Sequence, residues 1–531
     1  TSRMSQGPED LPPRSAAPKP VAVIDIGTTS IRMAIAEIDE QRGVRVLETL
    51  QQAVNLGKDT FTTGRIGKAT IENCVQVLRS YRELLTEYQI VSSEQIRVIA
   101  TSAVREALNR LAFLDRIYIA TGLQIEPIDE AEETRITYLS ILPYLRSEPA
   151  LQTGNTIVVE VGGGSTELLV VHDRNVLYAN SYRLVSLRLR ETLEAYNAPE
   201  GKVREFMESQ IERTVDQILE HVTPDESNDM IAQGGDIRFA TYHLVPDWNP
   251  KQLAHVPLAA LEKFTDRILA MSEDHLVRKY ALSYPDADTV GPALLTYVQL
   301  ARAFKLKYVL VTNTNLRDGL LKGMATDSVW TEEFRNQIIR SGIDLGRKFH
   351  FDEPHARQVA ETTRQLFDQL RPQHQLDNRF AVILYIAALL HEIGLYIGFA
   401  SHHKHSMYLI RNSELFGLGR KEVLLAAIVA RYYRRASPQP SHEGYATLER
   451  DERVAVSKLA AMLRIAVALN DSRSQRINNI RCEIKGNRLL ISVLNVQDVS
   501  LEQLALRQNA SLFEDVFGLQ VQLRALRGEA G

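Results

Sequence analysis

The chain has 531 residues, 44% apolar and 24% charged, with 62 Lys and Arg against 66 Asp and Glu for a net charge of −4. This is a globular balance spread over a length too great for one core, so about three or four domains are expected, and the charge argues against a generic nucleic-acid coat. Two distant cysteines, Cys74 and Cys482, lie outside any Cys-x-x-Cys pattern, which argues against a disulfide framework or a cysteine zinc site and fits a reducing cytoplasm.

Residues 1–20 are rich in Pro, Ser and charge and lack an apolar signal core, so they read as a disordered tail. Structure is expected to begin at Val21. VAVIDI has the composition of a buried central strand, GTTS of a turn, and IRMAIAEI of a second strand returning as a hairpin. Ile71, Val75, Leu78 and Leu85 predict a helix over 70–88. IRVIA (96–100) predicts a strand and SAVREALNRLAFLDRI (102–117) the helix after it. Hairpins mixed with βα units imply an α/β fold. Farther on, an amphipathic helix is expected near 204–222. MIAQGGDIRFATYHL (230–244) reads as strand, Gly-Gly turn and helix, and YVLVTNTNLRDGLLKGM (308–324) closes in the same style. Helical periodicity dominates 330–470, so an all-α domain is placed there. Ile383 to Ala400 reads as a buried helix and not a membrane span, because it contains His391 and Glu392. RCEIKGNRLLISVLN (481–495) alternates about a Gly-Asn turn and reads as a hairpin.

The most informative feature is a repeat. VAVIDIGTTSIRMAIA and VVEVGGGSTELLVV superpose with Asp25 on Glu160, Gly27 on Gly162 and Ser30 on Ser165, a separation of 135 residues. Each copy is an apolar strand carrying one carboxylate, a Gly/Ser/Thr turn, and a returning strand. Such a duplication implies two similar lobes facing across a cleft. A phosphate needs dense donors without steric obstruction; glycine lets the backbone approach and Ser or Thr adds hydroxyls. Gly27, Thr28, Thr29 and Ser30, with Gly162, Gly163, Gly164 and Ser165, are therefore candidate phosphate ligands. Asp25 and Glu160 point from the strand ends towards the same space and are candidate Mg²⁺ positions. One such turn alone would read as a tight hairpin; two, each with its carboxylate, point to function.

ATSAVREA (100–107) places Arg105 in the first turns of a helix, where it either meets an anion or is a solvated side chain behind a Ser/Thr cap. PIDEAEETRITY (127–138) carries Asp129, Glu130, Glu132, Glu133 and Arg135. This is either a solvated helix face or, at the junction of the lobes, the source of a catalytic base.

In this order, DIGTTS, ATSAVREA, DEAEETR and EVGGGSTEL resemble the exopolyphosphatase / guanosine pentaphosphate phosphohydrolase (Ppx/GppA) family, and NLRDGLL (315–321) matches its Leu-Arg-x-Gly signature. The resemblance implies two hexokinase/actin-type (ribonuclease H-like) lobes, expected at 21–137 and 138–327. It further implies a helical HD-like domain at 328–474 and a small mixed α/β domain at 475–531. It also implies that Glu133 is the general base and that Arg105 stabilises the terminal phosphoryl group. Asp25 and Glu160 would position Mg²⁺, with Glu167 as a weaker candidate. The implied reaction is water attack that releases orthophosphate from the ends of inorganic polyphosphate or from guanosine pentaphosphate. A cytoplasmic homodimer with no membrane and no specific nucleic-acid partner is the family expectation.

Two positions depart from the family pattern: Thr29 stands where Asn is usual and Glu160 where Asp is usual. Asp236, in GGDIR (234–238), places an acid on the expected phosphate path. In AALLHEIG and HHKHS, His391-Glu392 replaces the His-Asp pair of HD-type metal sites, with His402, His403 and His405 following. A degenerate domain used for packing, dimerisation or substrate guidance is expected there. Lys404, Arg431, Arg434 and Arg435 offer either a polyanion track or a solvated basic face. Two other functions fit parts of the pattern. DIGTTS also resembles the first phosphate loop of sugar kinases, and a polyphosphate or nucleotide sensor without turnover would keep the same fold.

Overall fold

The structure is a computed structural model that describes residues 17–184, 199–225, 227–326, 332–413, 415–434 and 436–526. Most of the N-terminal segment and Arg435 lie outside the described residues. The chain forms two compact units, divided at 329/330.

The first unit holds two sheets of one design. In the first, β1 (Lys19–Ile26), β2 (Ser30–Ile38), β3 (Val44–Ala53), β4 (Ile96–Ala100) and β5 (Ile125–Pro127) take the order β3-β2-β1-β4-β5. In the second, β6 (Thr156–Val161), β7 (Thr166–His172), β8 (Asn175–Tyr182), β9 (Asp229–Gln233), β10 (Ala254–Pro257) and β11 (Tyr308–Val311) take the order β10-β11-β9-β6-β7-β8. Leaving aside the added edge strand β10, the orders correspond. β1 and β6 each pair antiparallel with the next strand and parallel with β4 or β9. The duplication extends to a defect. The second and third strands of each sheet shift register between Ile35 and Ala36, and between Val170 and Val171, the same 135-residue offset. Both central strands are buried on two faces, which explains why VAVIDI and TIVVEV read as continuous apolar runs.

The helices of the first lobe are α1 (Leu56–Thr63), α2 (Lys68–Glu87), α3 (Ser102–Arg105), α4 (Arg110–Thr121) and α5 (Glu130–Ser147). Cys74, Val75, Leu78, Tyr81 and Leu85 form the buried stripe of α2. The single helix expected over 102–117 is two helices. Asn109 is drawn out of the helical path because its amide bonds both the N–H and the carbonyl of Ile66, each at 2.9 Å, while Leu108 N–H reaches Gly64 O.

The first strand among the described residues begins at Lys19, two residues before the expected start. The boundary expected at 137/138 falls inside α5, which is unbroken there. The helix Leu316–Ala325 follows the last strand of the second lobe, yet it buries Leu316, Leu320 and Leu321 among Val21, Val23, Ala36 and Ile136 of the first. A Cβ on Gly319 would strike the backbone of Ile136, so glycine is what lets this helix lie against α5. The lobes therefore interlock instead of meeting at one point in the chain.

The second unit packs helices Glu332–Lys348, Glu353–Gln369, Arg379–Leu390, His402–Arg411, Arg420–Arg431 and Arg450–Leu469 with a sheet ordered β12 (Ile480–Lys485), β13 (Arg488–Leu494), β14 (Gln520–Leu526). Gln365 and Gln369, one turn apart, zip the edge of β12: Ile480 N–H donates to Gln365 at 2.9 Å, Cys482 N–H to Gln369 at 2.8 Å, and Gln369 returns a bond to Ile480 O at 2.9 Å. The sheet is thus part of one unit with the helices. By length and composition Arg379–Tyr396 is apolar enough to cross a membrane. Its helix stops at Leu390 after burying Val382 to Leu390 almost continuously. The helix expected from Ile383 to Ala400 ends early because Ser406 Oγ donates to His391 O at 2.7 Å and accepts from Gly394 N at 2.9 Å, turning the chain back.

Candidate active site

A cavity of about 380 Å³ lies between the lobes of the first unit. Its wall includes every predicted residue but one: Asp25, Gly27 to Ser30, Glu133, Glu160, Gly162 to Ser165 and Glu167. The exception is Arg105.

The two turns are built alike. Gly27 N donates to Ser30 O at 3.0 Å and Gly162 N to Ser165 O at 2.9 Å. They approach one another closely. A Cβ on Gly163 would sit 2.7 Å from the Cβ of Thr28, and one on Gly164 would collide with Ser102 at the start of α3. Glycine is required here for contact between lobes, beyond any role towards a ligand. Tyr297 OH accepts from Val161 N at 2.8 Å and donates to Gln233 O, tying the second turn to β9. Thr29 Oγ1 lies 3.4 Å from Asp286 Oδ1, so this departure from the family pattern contacts the opposite lobe.

Strand register sets the carboxylates. Asp25 pairs across from Arg32, and Glu160 across from Glu167, at equivalent points of the two sheets. Asp25 is buried; Oδ2 lies 3.6 Å from Arg317 Nη1 and Oδ1 has no protein hydrogen-bond partner. Glu160 Oε2 accepts from Gln233 at 3.1 Å and from Thr137 at 3.4 Å. Glu167 Oε1 accepts from Ser165 at 2.5 Å and Ser181 at 3.2 Å, while Oε2 is buried without a partner.

The acidic run at the start of α5 divides by helical position. Asp129 caps the helix, accepting from Glu132 N at 2.9 Å. Glu132 is held by Arg135, at 2.9 and 2.6 Å, and by Arg97 at 3.1 Å; burial pushes its carboxyl up, but these bonds prevail and lower it. Glu130 and Glu133, three residues apart, flank Arg105. The Arg105 guanidinium bonds Glu133 Oε2 at 3.2 Å and Ile128 O at 2.8 Å, so it stands against Glu133 instead of on the cavity wall.

Burial pushes Glu133 up to about 7; Arg105 opposes this, and the charges of Glu160 and Asp25 add to it. Burial also raises Glu160, against Arg238 and with Asp25. Glu167 is raised well above the carboxylate range by burial and by Glu133. A carboxylate near 7 is suited to accept a proton at neutral pH.

Sequence reading missed three guanidinium groups on the wall, Arg32, Arg238 and Arg317, and one acid, Asp286. Arg238 and Arg317 stand inside motifs already singled out, GGDIR and NLRDGLL, which were the available signals. Asp236 does line the cavity, raised to about 7 by burial and by neighbouring Asp286. Six lining acids face three lining guanidinium groups. The oxygen-only donor set with an unpartnered Asp25 oxygen fits a hard divalent ion such as Mg²⁺, whose charge would offset these acids against a polyanion.

In the second unit, His402 is turned towards Tyr433, and Arg434 reaches it at 3.4 Å. Arg431 Nη1 lies 3.4 Å from Glu443 O.

The Ppx/GppA phosphatase family profile matches residues 34–328, and the profile of domain III of that family matches 339–513. This chain belongs to the Ppx/GppA phosphatase family. A guanosine-5′-triphosphate,3′-diphosphate pyrophosphatase of Aeromonas hydrophila is 24% identical over 460 residues, covering 86% of this chain and 88% of that one. An exopolyphosphatase structure from Cytophaga hutchinsonii is similar at a TM-score of 0.53 and 20% identity, over 59% of this chain and all of its own. The Aquifex aeolicus family member gives a TM-score of 0.48 at 23% identity, over 59% of this chain and 99% of its own. The doubled sheet is accordingly the actin-like fold of that family.

Proposed function

We propose that this chain is an exopolyphosphatase that releases orthophosphate from the ends of inorganic polyphosphate, and that the same cleft hydrolyses guanosine pentaphosphate to tetraphosphate. The observation that carries the reading is Glu133. It is a half-buried carboxylate, its side chain 13% exposed, raised to about 7 on the wall of a cavity rimmed by two glycine turns. The relatedness to a guanosine-5′-triphosphate,3′-diphosphate pyrophosphatase across 86% of the chain supports the second substrate.

In this mechanism the turns Gly27–Ser30 and Gly162–Ser165 and the side chains of Arg32, Arg238 and Arg317 seat the phosphate chain. Asp25 and Glu160 would hold Mg²⁺, which supplies positive charge against the phosphate oxygens. Arg105 orients Glu133. Glu133 takes a proton from a water whose oxygen bonds the terminal phosphorus, while the bond from that phosphorus to the bridging oxygen breaks. The shortened chain leaves with the bridging oxygen. Positioning and electrostatics carry most of such a transfer.

The test measures orthophosphate release from long polyphosphate and from guanosine pentaphosphate, with Mg²⁺ or with chelator. Release is expected to require Mg²⁺ and to fall at least ~100-fold in Glu133→Ala, the scale of losing a general base. Wild-type turnover in Glu133→Ala removes the assignment of the base. Tight polyphosphate binding without release would favour a sensor, and ATP-dependent sugar phosphorylation a kinase.

A further inference from the structure

A second constellation lies wholly within the C-terminal unit. His355 stands in the first turn of helix Glu353–Gln369, and His391 and Glu392 follow helix Arg379–Leu390. One donor atom from each of the three lies within 4.8 Å of the others. His355 is 3% and His391 1% exposed. His391 Nδ1 is 2.6 Å from Ala388 O, so Nδ1 carries the proton and Nε2 presents a lone pair. That Nε2 is buried with no hydrogen-bond partner, as is Nδ1 of His355. Both rings face Glu392, at 4.0 and 3.9 Å, beyond hydrogen-bonding reach.

Packing alone gives no reason for this arrangement. At 4.0 and 3.9 Å neither imidazole hydrogen-bonds the carboxylate it faces. The positive charge comes from Arg473, whose Nη2 lies 2.7 Å from Glu392 Oε1 while Nη1 reaches Asp352 at 3.4 Å. Two imidazoles and one carboxylate are a donor set for first-row transition ions, and a backbone carbonyl fixing the tautomer is the usual outer partner of a ligating histidine. Ser406, bonded to both His391 O and Gly394 N, holds the ligand-bearing backbone. Nitrogen donors separate this set from the oxygen-only cleft.

We propose that His355, His391 and Glu392 bind one divalent first-row transition ion, Zn²⁺ best among them, which takes Glu392 over from Arg473.

The test uses the full chain, stripped with chelator and kept in excess Mg²⁺. Co²⁺ alone is titrated in and followed by visible absorption, and Zn²⁺ is then used to displace it. One equivalent of Co²⁺ with the bands of a nitrogen-ligated ion, displaced by one equivalent of Zn²⁺, is expected. His391→Ala and Glu392→Gln should weaken binding by at least about 100-fold, the upper scale of losing even an outer partner. Arg473→Ala should tighten it by roughly 10- to 100-fold, the worth of one charge-assisted hydrogen bond to the competing guanidinium. Glu160→Gln, in the cleft, should leave Co²⁺ binding unchanged. The proposal is overturned by absence of stoichiometric binding to the wild-type chain, by a spectrum of oxygen ligands only, or by weaker binding in Arg473→Ala. Arg473 is partly exposed, so its variant and the wild-type spectrum decide the matter even if the buried histidine variants do not fold.

Discussion

Arg105 Nη1 lies 3.2 Å from Glu133 Oε2, and through that bond the cation expected to meet substrate is engaged with the proposed base. Arg105→Ala therefore acts on the base. Without the guanidinium, Glu133 loses the charge that opposes its upward shift and holds its proton to higher pH. The expected result is a pH–rate profile whose rising limb moves to higher pH, with the loss at pH 7 partly recovered at pH 9. A uniform loss at all pH values would place Arg105 on the phosphoryl group instead.

The metal-free cleft carries a pH-dependent strain. Glu133 has a folded value of about 7 against an ordinary value near 4.5, and Glu160 and Glu167 are raised in the same direction. For raised carboxyls, the stabilisation is fully present below the unfolded value and is lost as pH climbs through the folded one. In chelator, the melting temperature should fall as pH rises from about 5 to about 8. Added Mg²⁺ should restore it most at the high end. A flat profile in chelator would mean that the carboxylates do not share the cleft.

Gly164→Ala tests the contact between the lobes. The new Cβ collides with Ser102, so either the second turn or α3 must withdraw. Turnover should drop by about 100-fold or more, since small misplacements at a reacting centre cost that much. Far-UV circular dichroism should be unchanged, because the collision is confined to the cleft. Wild-type turnover in this variant would show that the turns do not need to touch.

Arg317→Ala removes the cation beside Asp25, 3.6 Å from its Oδ2. Two effects are expected: a KM for polyphosphate raised roughly tenfold, the worth of one charge-assisted contact, and weaker salt inhibition. Arg317→Lys should recover part of the KM. An unchanged KM would remove Arg317 from the phosphate path.

The chain's own order of residues determined a good deal. Continuous apolar runs at VAVIDI and TIVVEV mark strands buried on two faces, and a 135-residue repeat of strand, carboxylate and turn marks a doubled sheet, because these depend on local periodicity alone. The same repeat named both turns with Asp25 and Glu160, the family resemblance added Glu133 and Glu167, and Arg32, Arg238, Arg317 and Asp286 on the same wall were not named. What it could not supply depends on distant partners. Asn109 breaks a helical pattern because Ile66 bonds both ends of its amide. Arg105 sits against Glu133 instead of on the cavity wall, and Leu316–Ala325 returns to the first lobe because its apolar face fits α5 where Gly319 allows close approach. His355 joins His391 and Glu392 across 36 residues of sequence with no motif between them. Periodicity decides which face of an element is buried, whereas which elements share a burial, and which charges meet inside it, is decided only when the chain is packed.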